Sequence, residues 1–445
     1  AGAGGSPPMC DGELLPGDDA CVVAEEYGVF VSPGGDDATG DGTRESPFGT
    51  LQKAADAASE SGKRVYACAT EGEYGAGLTL AEGHDGLELF GAFDCSDWSY
   101  QSELRANVAP EAGVALSVSE IETSLELDGF TFESADATTP GESSIAATIR
   151  ASSGVVLRSV TLRAGTGADG APGVTMSFTY PEKSALDGVD GTGDSGGVAP
   201  IVSCPSGDTT RGGPGGGVAP NDGSLGTPNH EGPGGEGGIV GADCTTGIGK
   251  TGTDGPTGTE GPGATVVGAL DNGNWTPAGG SDGGHGLPGQ GGGGGAGATN
   301  GGGGSGGAGG CGGAGGKAGG GGGASIALLL VDAAVTLVDS QVVASDAGDG
   351  GDGSGGQEGQ QEFGDFGAGD PAGCPGGRGG LGGNGGAGGG GAGGISVGIL
   401  IEGSAPTLTN TEVVVGAEGF AGDGPGASND GVLGIAQPEL NLADL

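Results

Sequence analysis

The chain has 445 residues, of which 117 are glycine and 24 proline, while aromatic residues make up only 4%. Its 58 acidic and 13 basic residues leave a formal charge of −45, a surface that repels nucleic-acid phosphates and anionic lipid. Glycine and proline at roughly a third of a chain is the range of collagen and of disorder, yet apolar, strand-like stretches recur between the glycine tracts, and these argue for a folded chain.

The sequence opens at Ala1 with no charged-then-apolar leader, which reads as a mature chain. The expected location is extracellular or cell-surface, after signal-peptide removal. The longest apolar run, residues 324–338 (ASIALLLVDAAVTLV), is broken by Asp332 and reads as two short buried strands, so membrane insertion is not expected. Eight cysteines stand far apart, without a CxxC pair and far from the three histidines, a pattern that favours disulfides over zinc or redox motifs. Pairing by shortest closure gives Cys10–Cys21, Cys68–Cys95, Cys204–Cys244 and Cys311–Cys374.

In chain order, residues 1–28 read as a small disulfide-closed arm. A domain over 29–173 begins with a short strand and a Gly/Asp turn cluster. Ser46-Pro47 then opens a helix on which Leu51, Ala54, Ala55 and Ala58 share one face, and Ser61-Gly62 stops it. A short amphipathic helix just before a first strand (RVYACA) is suited to cover the end of a solenoid. Strands follow about every ten residues: GLELFGAF, VALSV, SLELDGFTF with a bend at Gly129, AATIR, VVLRS and VTLRA. The same texture returns over 325–346 and 395–445, after glycine-rich insertions over 174–324 and 347–394. One such unit cannot bury its apolar face alone, so the units must stack, which predicts an all-β parallel β-helix. A β-sandwich is the weaker alternative, because strands separated by such long insertions make poor Greek-key partners.

The stretch VSPGGDDATGDGTRESPFGTLQKAADAA resembles the opening of secreted bacterial right-handed parallel β-helix proteins of the pectate-lyase-like superfamily. FGAFDCSDWS and the glycine tracts resemble glycine-rich surface proteins of myxobacteria. The resemblance covers residues 28–173 best and implies a right-handed β-helix and an extracellular setting. It implies no activity, since enzymes, adhesins and inert spikes share that fold.

Parts of the tracts repeat every three residues: GGA GGC GGA GGK from Gly306, GGR GGL GGN GGA from Gly376, and GKT GTD GPT GTE GPG from Gly249. Three residues per turn is the period of the polyproline-II helix. With two bare faces in each GGX triplet, neighbouring helices can approach and exchange main-chain hydrogen bonds. The expectation is a set of polyglycine-II-type helical bundles docked on the β-helix, with the X residues facing outward. Collagen fits only Gly249–Gly263, and a flexible linker is the alternative for the less regular first insertion.

Two Asp/Gly loops are candidate calcium ligands: Asp36, Asp37 and Asp41, and Asp346, Asp349 and Asp352. Neither matches an EF-hand or a calcium-binding nonapeptide, and ordinary solvated turns are the heavier reading. Arg150 and Arg158, with Arg163, sit on strands and would line one face of a polysaccharide-binding or lyase site. Trp98, beside Asp94 and Asp97, would stack on sugar. Against this, strand arginines in an acidic chain usually pair with carboxylates, and a tryptophan flanked by cysteine is usually packed. An enzyme is therefore not expected. The favoured function is an extracellular structural protein, a self-assembling fibre or surface-layer subunit whose partner is itself. An adhesin for cell-surface polysaccharide comes second and a polysaccharide lyase or hydrolase third.

Overall fold

The computed structural model describes residues 10–219, 221–230, 234–241, 243–271, 273–426 and 428–445. The first nine residues of the expected arm lie outside that range. After β1 (Gly28–Val31) the chain runs through six circuits of three strands. The first three circuits are β2 (Arg64–Cys68), β3 (Glu73–Tyr74) and β4 (Leu78–Leu80); β5 (Glu88–Phe93), β6 (Ala106–Val108) and β7 (Leu116–Ser119); β8 (Leu125–Asp128), β9 (Phe130–Glu133) and β10 (Ser144–Arg150). The fourth begins with β11 (Val155–Arg158) and β12 (Thr161–Arg163). A glycine-rich excursion with two antiparallel hairpins then intervenes, β13 (Ile201–Ser203) with β14 (Thr209–Arg211) and β15 (Gly268–Asp271) with β16 (Asn274–Pro277). The circuit closes with β17 (Ser325–Val331). The last two are β18 (Val335–Val338), β19 (Gln341–Val343) and β20 (Ser396–Glu402), and β21 (Thr407–Thr409), β22 (Glu412–Val414) and β23 (Ala436–Asn441).

First, second and third strands each collect into their own parallel sheet, in the orders β1-β2-β5-β8-β11-β18-β21, β3-β6-β9-β12-β19-β22 and β4-β7-β10-β17-β20-β23. Pairing in register stacks like on like. Leu78, Leu116, Ala147, Leu328 and Ile399 form one column of the third sheet, and Leu80, Val118, Ile149, Leu330 and Ile401 a second. Both columns belong to the main core, with the first sheet's Leu89, Leu127, Leu157 and Leu337 and the second's Val108, Phe132, Leu162 and Val342. Among the described residues the fold is mostly β, with one helix longer than four residues, α1 (Leu51–Ser61). That helix starts later than Ser46-Pro47 suggests, capped by the Thr50 hydroxyl and ended by left-handed Gly62, and it buries Leu51, Ala54, Ala55 and Ala58 in the main core.

Along the last four circuits, two corners carry a left-handed residue. Between the first and second sheets these are Gly129, Ser159, Asp339 and Asn410, with φ of 79°, 49°, 50° and 48°. Between the third and first they are Glu120, Ala151, Asp332 and Gly403, with φ of 58°, 43°, 49° and 107°. An L side chain in this region costs about 1–2 kcal/mol. Main-chain bonds from one turn to the next support it: the Ala151 amide donates to the Val331 carbonyl and the Asp332 amide to that of Glu402.

Every long excursion leaves at the third corner, between the second and third sheets: 164–324, 344–395 and 415–435. Because the circuits stack, the excursions start side by side. The Gly167 amide donates to the Asp346 carbonyl and the Ala347 amide to that of Ala417. Farther out, every third amide from Gly304 through Gly322 donates to the carbonyl of Cys374 through Ala392, and the ladder runs on through Ser325 to Ile395 at the start of the paired strands β17 and β20. Of the other amides of 301–323, those of Gly302, Gly303, Ser305, Gly306, Ala308, Gly320 and Gly323 donate to carbonyls of 186–193, 213–216 and 168–171. Those of Gly309, Cys311, Ala314, Gly315, Lys317 and Ala318 donate to side chains of Thr210, Gln360, Gln357, His285, Ser354 and Asp282. Carbonyls of the segment also accept from 280–295 and 348–370. The extended segments thus form a lattice, and three-residue periodicity is what lets each face a neighbour in several directions.

Two expectations need correction. The X residues of the central tract do not face outward: Ser305, Ala308, Cys311 and Ala314 are all fully buried, because that segment is surrounded by others. Those of the outer tract do face out, with Arg378 and Asn384 exposed. The disulfides Cys10–Cys21 and Cys68–Cys95 form as expected, but the other four cysteines pair as Cys204–Cys311 and Cys244–Cys374. Lattice neighbours decide this. Segment 249–264 runs alongside 375–390, bringing Cys244 to Cys374, and the β13–β14 hairpin sits against the central tract through the Thr210 hydroxyl and the Gly309 amide.

Candidate functional site

The acidic surface is the first place to look for chemistry. On the excursion faces, carboxylates are placed three residues apart in extended chain, about 9 Å apart along the axis. Asp346, Asp349 and Asp352 accept from the amides of Ala417, Phe420 and Asp423 at 2.7, 2.7 and 2.8 Å. Asp169 does the same for Asp349, Asp190 for Ala368 and Asp254 for Leu381. In each case the aspartate supplies the acceptor for an amide of an adjoining extended segment, so these carboxylates are part of the main-chain bonding of the lattice.

The other acidic loop is likewise occupied with its own main chain. Asp36 accepts from the Ala38 and Thr39 amides, and these bonds hold its carboxyl below the usual range. Asp41 is lowered by the Thr43 hydroxyl and amide. For Asp37, burial works against ionisation, but bonds from the Thr50 hydroxyl and the Thr50 and Gly49 amides outweigh it. Among the described residues, neither aspartate group brings three ligand atoms within 4.8 Å of one another. The one trio that does, Cys68, Glu71 and Cys95, has its two sulfurs bonded to each other.

The structure does not bring Trp98, Arg150 and Arg158 together as a binding face. Trp98 is buried, edge-on to Phe30 at 4.8 Å between ring centres, in a cluster with Tyr66, Phe90 and Phe93, so its ring is closed to a sugar. Arg150 ends β10 and donates to the Gly273 carbonyl and to Asn274 Oδ1, which ties the β15–β16 hairpin to the third sheet. Arg158 pairs with Glu126 at 3.0 Å on the outer face of the first sheet. Trp98 is thus engaged in packing, Arg158 in an ion pair and Arg150 in hydrogen bonds to the β15–β16 hairpin.

A residue that pattern reading passed over lies beside Arg158. Asp128 shares the outer face of β8 with Glu126, two residues before it, and is only 5% exposed, with Oδ1 lacking a hydrogen-bond partner. Burial pushes its carboxyl up to about 6, with Glu126 adding to the push and Arg158, Arg105 and Ser159 opposing it. Tyr100 faces it from the loop above. The folded chain therefore keeps a proton on Asp128 to about pH 6, whereas an unfolded aspartate releases it near 3.8. Between these values the folded state binds more protons, so this group's contribution to stability falls as pH rises. Asp128→Asn is expected to stabilise the chain by up to about 3 kcal/mol near pH 8 and to change little near pH 3. Urea unfolding at both pH values checks this, and a pH-independent effect would rule out ionisation as the cause.

A cleft between the arm and α1 is lined by Glu26, Tyr27, Ser59, Lys63, Arg64 and Glu88. Its cations are engaged: Arg64 binds Glu88 at 2.5 Å and the Leu14 carbonyl at 2.7 Å, and Lys63 binds the Glu25 carbonyl at 2.8 Å. Among the described residues no helix is long and apolar enough to cross a membrane. A scan against protein-family models and searches among curated proteins and solved structures return no match.

Proposed function

We propose that the chain is an extracellular structural protein, a subunit of a fibre or surface layer, built as a right-handed parallel β-helix that carries polyglycine-II-type bundles. The observation that supports this reading is the unbroken main-chain ladder from Gly304 to Ser325 along Cys374–Ile395, which passes from lattice into sheet without an interruption. Strands in a sheet lie about 4.8 Å apart. Excursions that inherit that spacing can stay bonded along their whole length, so the two parts form one rigid body suited to bearing load. Four disulfides fit an oxidising compartment. The −45 charge fits a hydrated surface exposed to salt.

Immunogold labelling of intact source cells, with alkylation of the native protein before and after reduction, tests the proposal. Label in an ordered external layer or filament, with all eight cysteines protected until reduced, is the expected result. Cytoplasmic label with alkylatable thiols would overturn it, and label on dispersed monomers bound to surface glycan would favour an adhesin.

A further inference from the structure

The two ends of the strand stack are finished differently. At the first end α1 lies over the core and contributes four buried residues to it. At the other end β21, β22 and β23 are the outermost strands of their sheets, and among the described residues no α-helix lies over them; only a single 3-10 turn, Leu442–Asp444, follows β23. Leu408 and Val413, which continue the fully buried positions of Leu337 and Val342, are only half-buried. In the third sheet both apolar columns end in polar residues: Ile399 is followed by Glu439 and Ile401 by Asn441. Glu439 thus occupies an inward column yet is exposed, a carboxylate at the mouth of the core. On the other face of the third sheet, by the cluster that holds Leu440, an apolar groove is lined by Val266, Val432, Leu433, Ile435 and Leu445, with Asp444 among its residues.

We propose that this end face docks a basic, extended segment of a partner protein, which adds a strand to an open edge and sets lysine or arginine against Glu412 and Glu439. The inference rests on the reading of the chain as an assembled structural subunit and names the partner's chemistry. Unpaired edges accept any strand, so charge decides which one. Residues 379–445 hold seven acids and no lysine, arginine or histidine. A second copy meeting end to end would set Glu412 and Glu439 against their own counterparts. The opposite end offers no complement either, because residues 10–63 carry twelve acids and three bases and α1 covers that core. Pro438 removes an amide donor from the β23 edge, which leaves the proline-free edges β21 and β22 as the better acceptors of an added strand. An acidic edge of this kind turns away its own kind and favours a cationic strand.

The test uses the full chain and a labelled, end-capped peptide of alternating valine and lysine, followed by fluorescence anisotropy. Glu412→Lys/Glu439→Lys is expected to weaken binding at least about tenfold. Glu111→Lys/Glu122→Lys makes the same change of charge at exposed positions elsewhere and should leave affinity within about twofold. The chain alone should sediment as a monomer. Equal loss in both variants would reduce the binding to bulk polyanion attraction and overturn the proposal, as would a wild-type dimer that cross-links through β21–β23. Selective binding by a chain found in the cytoplasm would leave the docking face standing and remove the surface-layer reading, so the two fail separately.

Discussion

Gly312→Ala is expected to destabilise the chain by roughly 3 kcal/mol or more, while Gly355→Ala is neutral or mildly stabilising. At Gly312 an added Cβ would lie 1.8 Å from the Gly286 carbonyl oxygen, a backbone atom that cannot swing away. Relief requires two extended segments to move apart, which strains or breaks the ladder that joins 280–295 to 304–319. Overpacking a close-packed interior costs about 1–3 kcal/mol, and the lost main-chain bonds add to that. At Gly355 nothing lies within 4 Å of the new methyl and φ is not in the left-handed region. There the loss of unfolded-state freedom should contribute up to about 1 kcal/mol in favour of folding. Equilibrium unfolding of both variants checks this, and similar small effects at the two sites would mean the tracts are not closely packed.

Removing the lattice disulfides should have the next largest effect. Cys204–Cys311 and Cys244–Cys374 close intervals of 107 and 130 residues, against 11 for Cys10–Cys21. The loop-entropy relation gives about 5 kcal/mol for each long closure and about 3 kcal/mol for the short one. The Cys204→Ser/Cys311→Ser variant should therefore lose more stability than Cys10→Ser/Cys21→Ser. Denaturant unfolding of the double-serine variants reads this ordering, and mass spectrometry of non-reduced peptides reads the pairing. Peptides joined as Cys204–Cys244 would contradict the lattice arrangement that sets the two excursions side by side.

Much of the architecture is readable from local pattern because the forces concerned are local. Alternation in SLELDGFTF, the i, i+3, i+4, i+7 face of α1 and the repeated valine-rich units each record which side of an element is buried. Triplet spacing likewise records which faces of a glycine segment are bare. What stayed hidden depends on which segments become neighbours. Cys204 and Cys244 are close in sequence, but each is drawn to the tract beside it. Ser305 and Ala308 are buried because their segment is central, and nothing in GGX distinguishes a central tract from an outer one. Glu120 and Ala151 carry no turn signal, and their left-handed conformation is imposed by stacking on the corner above. The spacing of Asp346, Asp349 and Asp352 suggested calcium, whereas the same interval matches the amides of the adjoining segment. Asp128 gave no sign because its burial comes from the Tyr100 loop, more than twenty residues earlier in the chain.

Site-resolved amide hydrogen exchange over 304–322 and 376–394 bears most directly on whether glycine-rich chain is held as a bonded array. Protection comparable to that of β17 and β20, recurring at each amide in the ladder, is what the bonded lattice predicts. Exchange at the pace of a free glycine peptide, beside protected strands, would mean that the tracts are tethered loops and that the rigid body does not exist.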